Sequence, residues 1–144
     1  MKLPHLLMGL AAAVVMASPA QAALEGKIPE PGMVTFVSFG SDGCRPCRMM
    51  EPHLRKLDKE FEGRAAIREL NLSKYPEVGP YFRITAVPTQ ILFDSKGQEL
   101  GWHQGYMDEV SMRTAIEDAL KKDAENKKAT KVADKVTAET KPAK

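Results

Sequence analysis

The residues with the most chemical potential in this 144-residue chain are its only two cysteines, in the run Cys44-Arg45-Pro46-Cys47. Two thiols three positions apart at a helix start lie on nearly the same side of the first turn and can close a small disulfide. As a structural staple such a bond is poor: the chain-entropy model gives a four-residue loop about 2 kcal/mol, against about 3 kcal/mol for a fifteen-residue loop. A bond that constrains so little, placed after a glycine-broken turn, is better explained as one that opens and closes. Cys44 falls where a helix exposes unpaired N–H groups and the positive end of its dipole, which favours thiolate over thiol. Arg45 and Arg48 add positive charge, and Pro46 suits a first helical turn. Cys47, one turn deeper, is expected to be shielded and to act second. The expected chemistry has the Cys44 thiolate attack a partner disulfide and Cys47 resolve the mixed disulfide, or the reverse if the pair starts oxidised.

The elements that must hold this pair are legible around it. Met33 to Phe39 is rich in β-branched and aromatic residues, and Gly40-Ser41-Asp42-Gly43 breaks it. From Cys44 to Phe61, Met50, Leu54, Leu57 and Phe61 recur at helical spacing, with Gly63 at the helix end. Ala65 to Leu72 has strand character, and a broken stretch leads to a short helical turn near Tyr81. Thr89 to Phe93 and Gln98 to His103 read as a hairpin around Asp94-Ser95-Lys96-Gly97. Asp108 then caps a last helix with Val110, Met112, Ala115, Ile116 and Ala119 or Leu120 inward. The order β-α-β-(α)-β-β-α predicts an α/β fold, a small central mixed β-sheet flanked by helices, its first two strands parallel through a right-handed crossover.

The chain ends differ from this body. Lys2, the apolar run Leu6 to Ala17 and the small-x-small pattern Ala20-Gln21-Ala22 read as a secretory signal over 1–22, cleaved before Ala23. Twelve residues of helix span about 18 Å, well short of the roughly 30 Å of a bilayer core. Residues 23–30 form a lead-in, 31–120 the domain, and 121–144 a Lys/Ala-rich tail with eight Lys against four acids. With little apolar surface to offset ordering entropy, that tail is expected to be disordered or a frayed extension of the preceding helix. Its other reading is electrostatic adhesion to anionic lipid or an acidic partner. The net charge of +2 marks no nucleic-acid or membrane partner for the body, and two cysteines exclude both a disulfide-dense scaffold and a four-thiolate zinc site. One domain of ordinary size is what the length allows.

Taken with the strand Phe36-Val37-Ser38-Phe39 before the cysteines, Pro52 eight residues after Cys44, Val87-Pro88-Thr89 before the next strand, and Gly105 after the hairpin, the chain resembles the thioredoxin family over residues 31–120. The resemblance implies a thioredoxin fold and, for Pro88, a cis peptide lying against the active disulfide. It further implies that Val87 offers its backbone to an extended partner segment, with Gly43, Ala86, Val87, Pro88, Gly105 and Tyr106 as the docking rim. Three departures matter: Gly43 stands where the family usually has Trp, Ser38 where it often buries Asp, and Glu69 where it has a partner lysine. Glu69 could therefore serve as the proton acceptor for Cys47 from a different strand, or be an ordinary exposed Glu.

The resemblance also implies an activity, a thiol-disulfide oxidoreductase, expected as a monomer without a cofactor, which the signal pattern of residues 1–22 would place in the periplasm or outside the cell. It would reduce or shuttle the disulfides of exported proteins and draw electrons from a membrane-embedded thiol donor. A disulfide-forming oxidase of the Dsb type is the alternative, since Arg45 between the cysteines stabilises the thiolate and pushes the pair toward oxidant. Two further readings come from other classes. One is a Cu(I) site from Cys44, Cys47, Met49, Met50 and His53, although His53 is out of helical phase with both cysteines. The other is a non-catalytic interaction module, which the presence of both cysteines and Pro88 opposes.

Overall fold

A computed structural model of the chain describes residues 28–139. The expected signal segment, all but the end of the lead-in, and residues 140–144 lie outside the described residues.

The sheet grows outward from its most apolar strand. β1 (Val34–Gly40) is buried along almost its whole length and sits inside the sheet, whose order is β2-β1-β3-β4. A strand covered on both faces is expected to be largely apolar, and Val34, Phe36, Val37 and Phe39 are, while the buried Thr35 hydroxyl is satisfied by Glu30 N–H and Met33 C=O. β2 (Ala65–Asn71) runs parallel to β1, while β3 (Thr89–Phe93) is antiparallel to it and pairs in turn with β4 (Glu99–Gln104). Alternation divides β1 between two cores. Val34 and Phe36 pack with Met50, Leu54, Leu57, Phe61, Met112 and Ile116 on one face, and Val37 and Phe39 with Val78, Phe82, Ile91 and Phe93 on the other.

Three helices cover these faces. α1 (Arg45–Glu60) buries Met50, Leu54 and Leu57, the stripe its spacing predicts, against the first core. The short α2 (Val78–Tyr81) seals the second. α3 (Glu109–Glu139) starts at Asp108, whose carboxylate accepts the Ser111 N–H at 2.9 Å. Met112, Ile116 and Ala119 face inward as expected, but Val110 is 67% exposed. Two residues before Met112 is about 200° around the helix, so the inward stripe cannot hold both.

Of the two expectations for the tail, the structure describes the extension of the preceding helix: α3 runs to Glu139, and the β3–β4 turn gives its stretch up to Thr130 partners. The Ser95 N–H and hydroxyl donate to Asp123 at 3.0 and 2.6 Å, Lys127 adds an ion pair at 2.7 Å, and Lys96 donates to Thr130 at 3.1 Å. Burial works against ionising Asp123, but these donors outweigh it and hold its pKa below the ordinary value.

α1 and α3 are also joined by charge. Glu109 accepts from Lys56 at 2.6 Å, Arg113 at 2.6 Å and His53 at 3.1 Å, and Arg113 forks onto Glu60. Lys56, Arg113 and then His53 pull the Glu109 carboxyl down to about 2. A folded pKa below the unfolded one stabilises the fold above the ordinary carboxylate range, and that contribution fades as pH falls toward 2. The urea midpoint is expected to drop between pH 5 and pH 2.5, with a smaller drop in Glu109→Gln and at high salt. Equal slopes for both proteins would remove this cluster from the account.

Candidate functional site

At the C-terminal end of β1 the chain turns through Ser41–Gly43 into α1, and this turn places the cysteines. Gly43 adopts φ +78°, a left-handed conformation that side-chain-bearing residues resist, while a Cβ there would meet nothing within 4 Å. Backbone conformation, not crowding, therefore accounts for glycine at the position where the resemblance leads one to expect Trp. The loop is tied down by contacts that sequence reasoning missed. Asn71 donates to the Asp42 carboxylate at 2.8 Å, the Asp42 N–H to Ser73 Oγ at 3.0 Å, and the Ser73 N–H to Asn71 Oδ1 at 2.9 Å. An Asn followed two residues later by Ser, just after a strand, is a local turn signal; its pairing with Asp42 is long-range and has no sequence mark.

Cys44 is the N-cap of α1 and is disulfide-bonded to Cys47, with Cα atoms 5.3 Å apart. Its Sγ accepts the Cys47 N–H at 3.3 Å, so a sulfur occupies the place where a Ser or Asp oxygen ordinarily caps a helix. The first-turn amides and dipole that stabilise negative charge there act directly on Cys44. Arg45 and Arg48 are exposed on the same turn, and Pro46 lies within it. Both cysteines are half-buried. They differ in what lies beneath: a Cβ on Gly40 would stand 3.3 Å from Cys47 Cβ and 3.4 Å from its Sγ, so Cys47 rests on bare backbone.

The rim residues assemble around a second loop. The Val87–Pro88 peptide is cis. The Pro88 carbonyl accepts the Gly105 N–H at 2.8 Å, joining the start of β3 to the end of β4 and bringing the exposed Tyr106 beside them. The Ala86 carbonyl is occupied by Thr89 Oγ1 at 2.7 Å. Val87, between them, uses neither its N–H nor its C=O in any hydrogen bond among the described residues. An extended partner strand can pair with those two groups.

The soft-ligand set does not converge. His53 points to Glu109 on α3, Met50 is fully buried with Gln90 Nε2 3.8 Å from its sulfur, and Met49 is 52% exposed.

The thioredoxin family model matches residues 15–122. The chain belongs to the thioredoxin family. Relatives include Thioredoxin 1 of Chlorobaculum tepidum, 33% identical over 67 residues, which cover 46% of this chain and 64% of that protein. The thioredoxin of Rickettsia bellii is 28% identical over 83 residues, 56% of this chain and 79% of that one. Thioredoxin 1 of a Nostoc species is 26% identical over 113 residues, 78% of this chain and the whole of its own. The match thus spans just under two thirds of the first relative and more of the others. Within this thioredoxin framework the Cys44–Cys47 bond is the redox centre of a thiol-disulfide oxidoreductase.

Glu69 is placed by the same framework. In the parallel register of β1 and β2 it lies beside Ser38, and it shares with Ser38, Cys47 and Glu51 the lining of a cavity next to the disulfide. Though the residue is exposed overall, desolvation on its cavity side raises its pKa above the ordinary value, Glu51 adds to the rise, and Arg55 opposes it.

Proposed function

We propose that this thioredoxin-family protein works outside the cytoplasm as a monomeric disulfide reductase of exported proteins. It would be recharged by a membrane-embedded thiol donor. The observation that carries the reading is a sulfur acting as helix N-cap: Cys44 Sγ receives the Cys47 N–H, on a chain whose Val87 backbone is left open for a partner strand. In the reduced protein the Cys44 thiolate attacks one sulfur of a partner disulfide. A mixed disulfide forms and the first partner thiolate leaves. Cys47, deprotonated, then attacks Cys44 Sγ, releasing the second partner thiolate and closing the Cys44–Cys47 bond. Two electrons pass to the partner, and the external donor must return two.

Among the described residues only the short α2 lies between β2 and β3, without an inserted domain, which supports a reductant, whereas Arg45 leans toward an oxidant. Equilibration with glutathione decides between them: a potential below about −200 mV is expected, and one above about −150 mV favours the oxidase. For location, residues 1–22 supply the pattern of an export signal. Fused to a reporter active only outside the cytoplasm, they should give activity and a mature N-terminus at Ala23. An inactive reporter overturns export and leaves the redox reading standing.

A further inference from the structure

Beyond Leu120 the last helix has one side tied to the body and another left to solvent. Asp123, Lys127 and Thr130 make the tie, with Ser95, Lys96 or each other as partners, and lie within about 60° of arc around the axis. Lys121, Lys128, Lys131 and Lys135 occupy a separate strip, about 80° wide and about 21 Å long, centred about 110° away from the tie. These four lysines are exposed, and among the described residues none makes an ion pair or a side-chain hydrogen bond. Glu117 stands one turn before the strip and Glu125 on its border, so the positive charge gathers toward the far end of the helix. A coil of the same composition has no such face; the helical register and its anchor make one.

The anchoring turn is at the end of the sheet opposite the disulfide. Phe39, which leads into the cysteine loop, pairs with Thr89, whereas Thr35 pairs with Phe93, which leads into the turn. A ligand on the strip therefore leaves Cys44 and the open Val87 backbone uncovered. We propose that this face of α3 is a docking surface for a bilayer of anionic phospholipid. The inference goes beyond the redox reading and does not depend on it.

Opposite charge selects an anion, and the side chains select one that is spread over a plane. Arginine and aromatic residues, which anchor compact protein interfaces and stack on nucleic-acid bases, are missing from 121–144. Lysine ammonium groups on flexible stems need no matched pocket, and each one near an anionic membrane surface favours the bound state about fivefold. Val132, 64% exposed beside the strip, adds apolar surface but too little for deep insertion, so the helix is held flat on the headgroups. In that pose α3 runs along the surface, with the disulfide end of the sheet free to meet partners.

Co-sedimentation with vesicles at low salt tests the surface, using the oxidised chain from Ala23 onward, which lacks the apolar Leu6–Ala17 run that would itself enter a bilayer. Vesicles of equimolar phosphatidylglycerol and phosphatidylcholine are expected to pull the protein down, and phosphatidylcholine alone to leave it in solution. Lys128→Gln together with Lys131→Gln should weaken partition about 20- to 30-fold. Lys121→Gln with Lys135→Gln should reproduce that loss, so a local fault in one variant does not decide the result. Lys59→Gln with Lys74→Gln removes the same charge from the body and should weaken partition by less than about threefold. Added salt should release the wild-type protein, and insulin reduction by the strip variants should match wild type. Equal losses in the strip and body variants overturn the inference, as does equal pelleting with phosphatidylcholine alone or no pelleting with phosphatidylglycerol. Tighter binding to polyglutamate than to the anionic vesicles overturns it in favour of an acidic protein.

Discussion

Cys44→Ser is expected to abolish disulfide reduction, bringing insulin turbidity with dithiothreitol as donor down to the rate of dithiothreitol alone. A serine hydroxyl in the same N-cap position still accepts the Cys47 N–H, so the helix start and the fold should persist. What disappears is the thiolate, because an alkoxide is not formed near neutral pH and cannot displace sulfur. Cys47→Ser should behave differently. Its Cys44 remains able to attack, and without the resolving sulfur the mixed disulfide persists, to be read as an adduct by mass spectrometry. The pair of variants therefore distinguishes order as well as necessity. If Cys47→Ser accumulates no adduct while Cys44→Ser does, the roles are reversed and the helix N-terminus is not what activates the leading thiol. Should both variants keep full activity above the dithiothreitol background, the redox reading fails.

The parts of the molecule that the sequence made legible are those governed by local rules. Met50, Leu54 and Leu57 announce α1 by spacing, Asp108 announces the start of α3, and Cys44-Arg45-Pro46-Cys47 carries its chemistry in its own spacing. The illegible parts depend on which distant residues meet. Past Leu120, α3 is anchored by Ser95 and Lys96, on a turn some thirty residues earlier, which hold Asp123 and Thr130. Composition alone saw a charged, weakly apolar segment there and had no access to that anchor. The loop latch of Asp42, Asn71 and Ser73 is invisible for the same reason, since each residue alone is an ordinary turn former. Glu69 stands between the two cases. The family resemblance pointed to its position, but only strand register could bring it beside Ser38 and only the packing of α1 could close a cavity over both.

Phe36→Ala is expected to be among the most destabilising single substitutions in the body of the protein, by about 3–5 kcal/mol. Phe36 has no exposed surface, sits between Ile67 and Leu92 in neighbouring strands, and belongs to the cluster that joins β1 to α1 and α3. Truncation removes the transfer energy of the ring and leaves a space that three rigid elements cannot close together. For a domain of this size a loss of that order lowers the melting temperature by roughly 15 °C or more. Urea unfolding should show a lower midpoint at unchanged slope. Val110→Ala is the matched control on α3. Its side chain is largely in solvent, so its midpoint should move by no more than about 0.5 kcal/mol in equivalent stability. The consequence for activity follows from position. Phe36 does not touch the cysteines' loop in the hydrogen-bond network, yet the cluster it anchors fixes where α1 begins and hence where Cys44 points. Reduction measured at low temperature, where the variant stays folded, should remain near the wild-type rate, while at 37 °C it should fall with the folded fraction. A Phe36→Ala protein less than about 1 kcal/mol weaker than wild type would mean that the sheet face under α1 is not the support of the active helix.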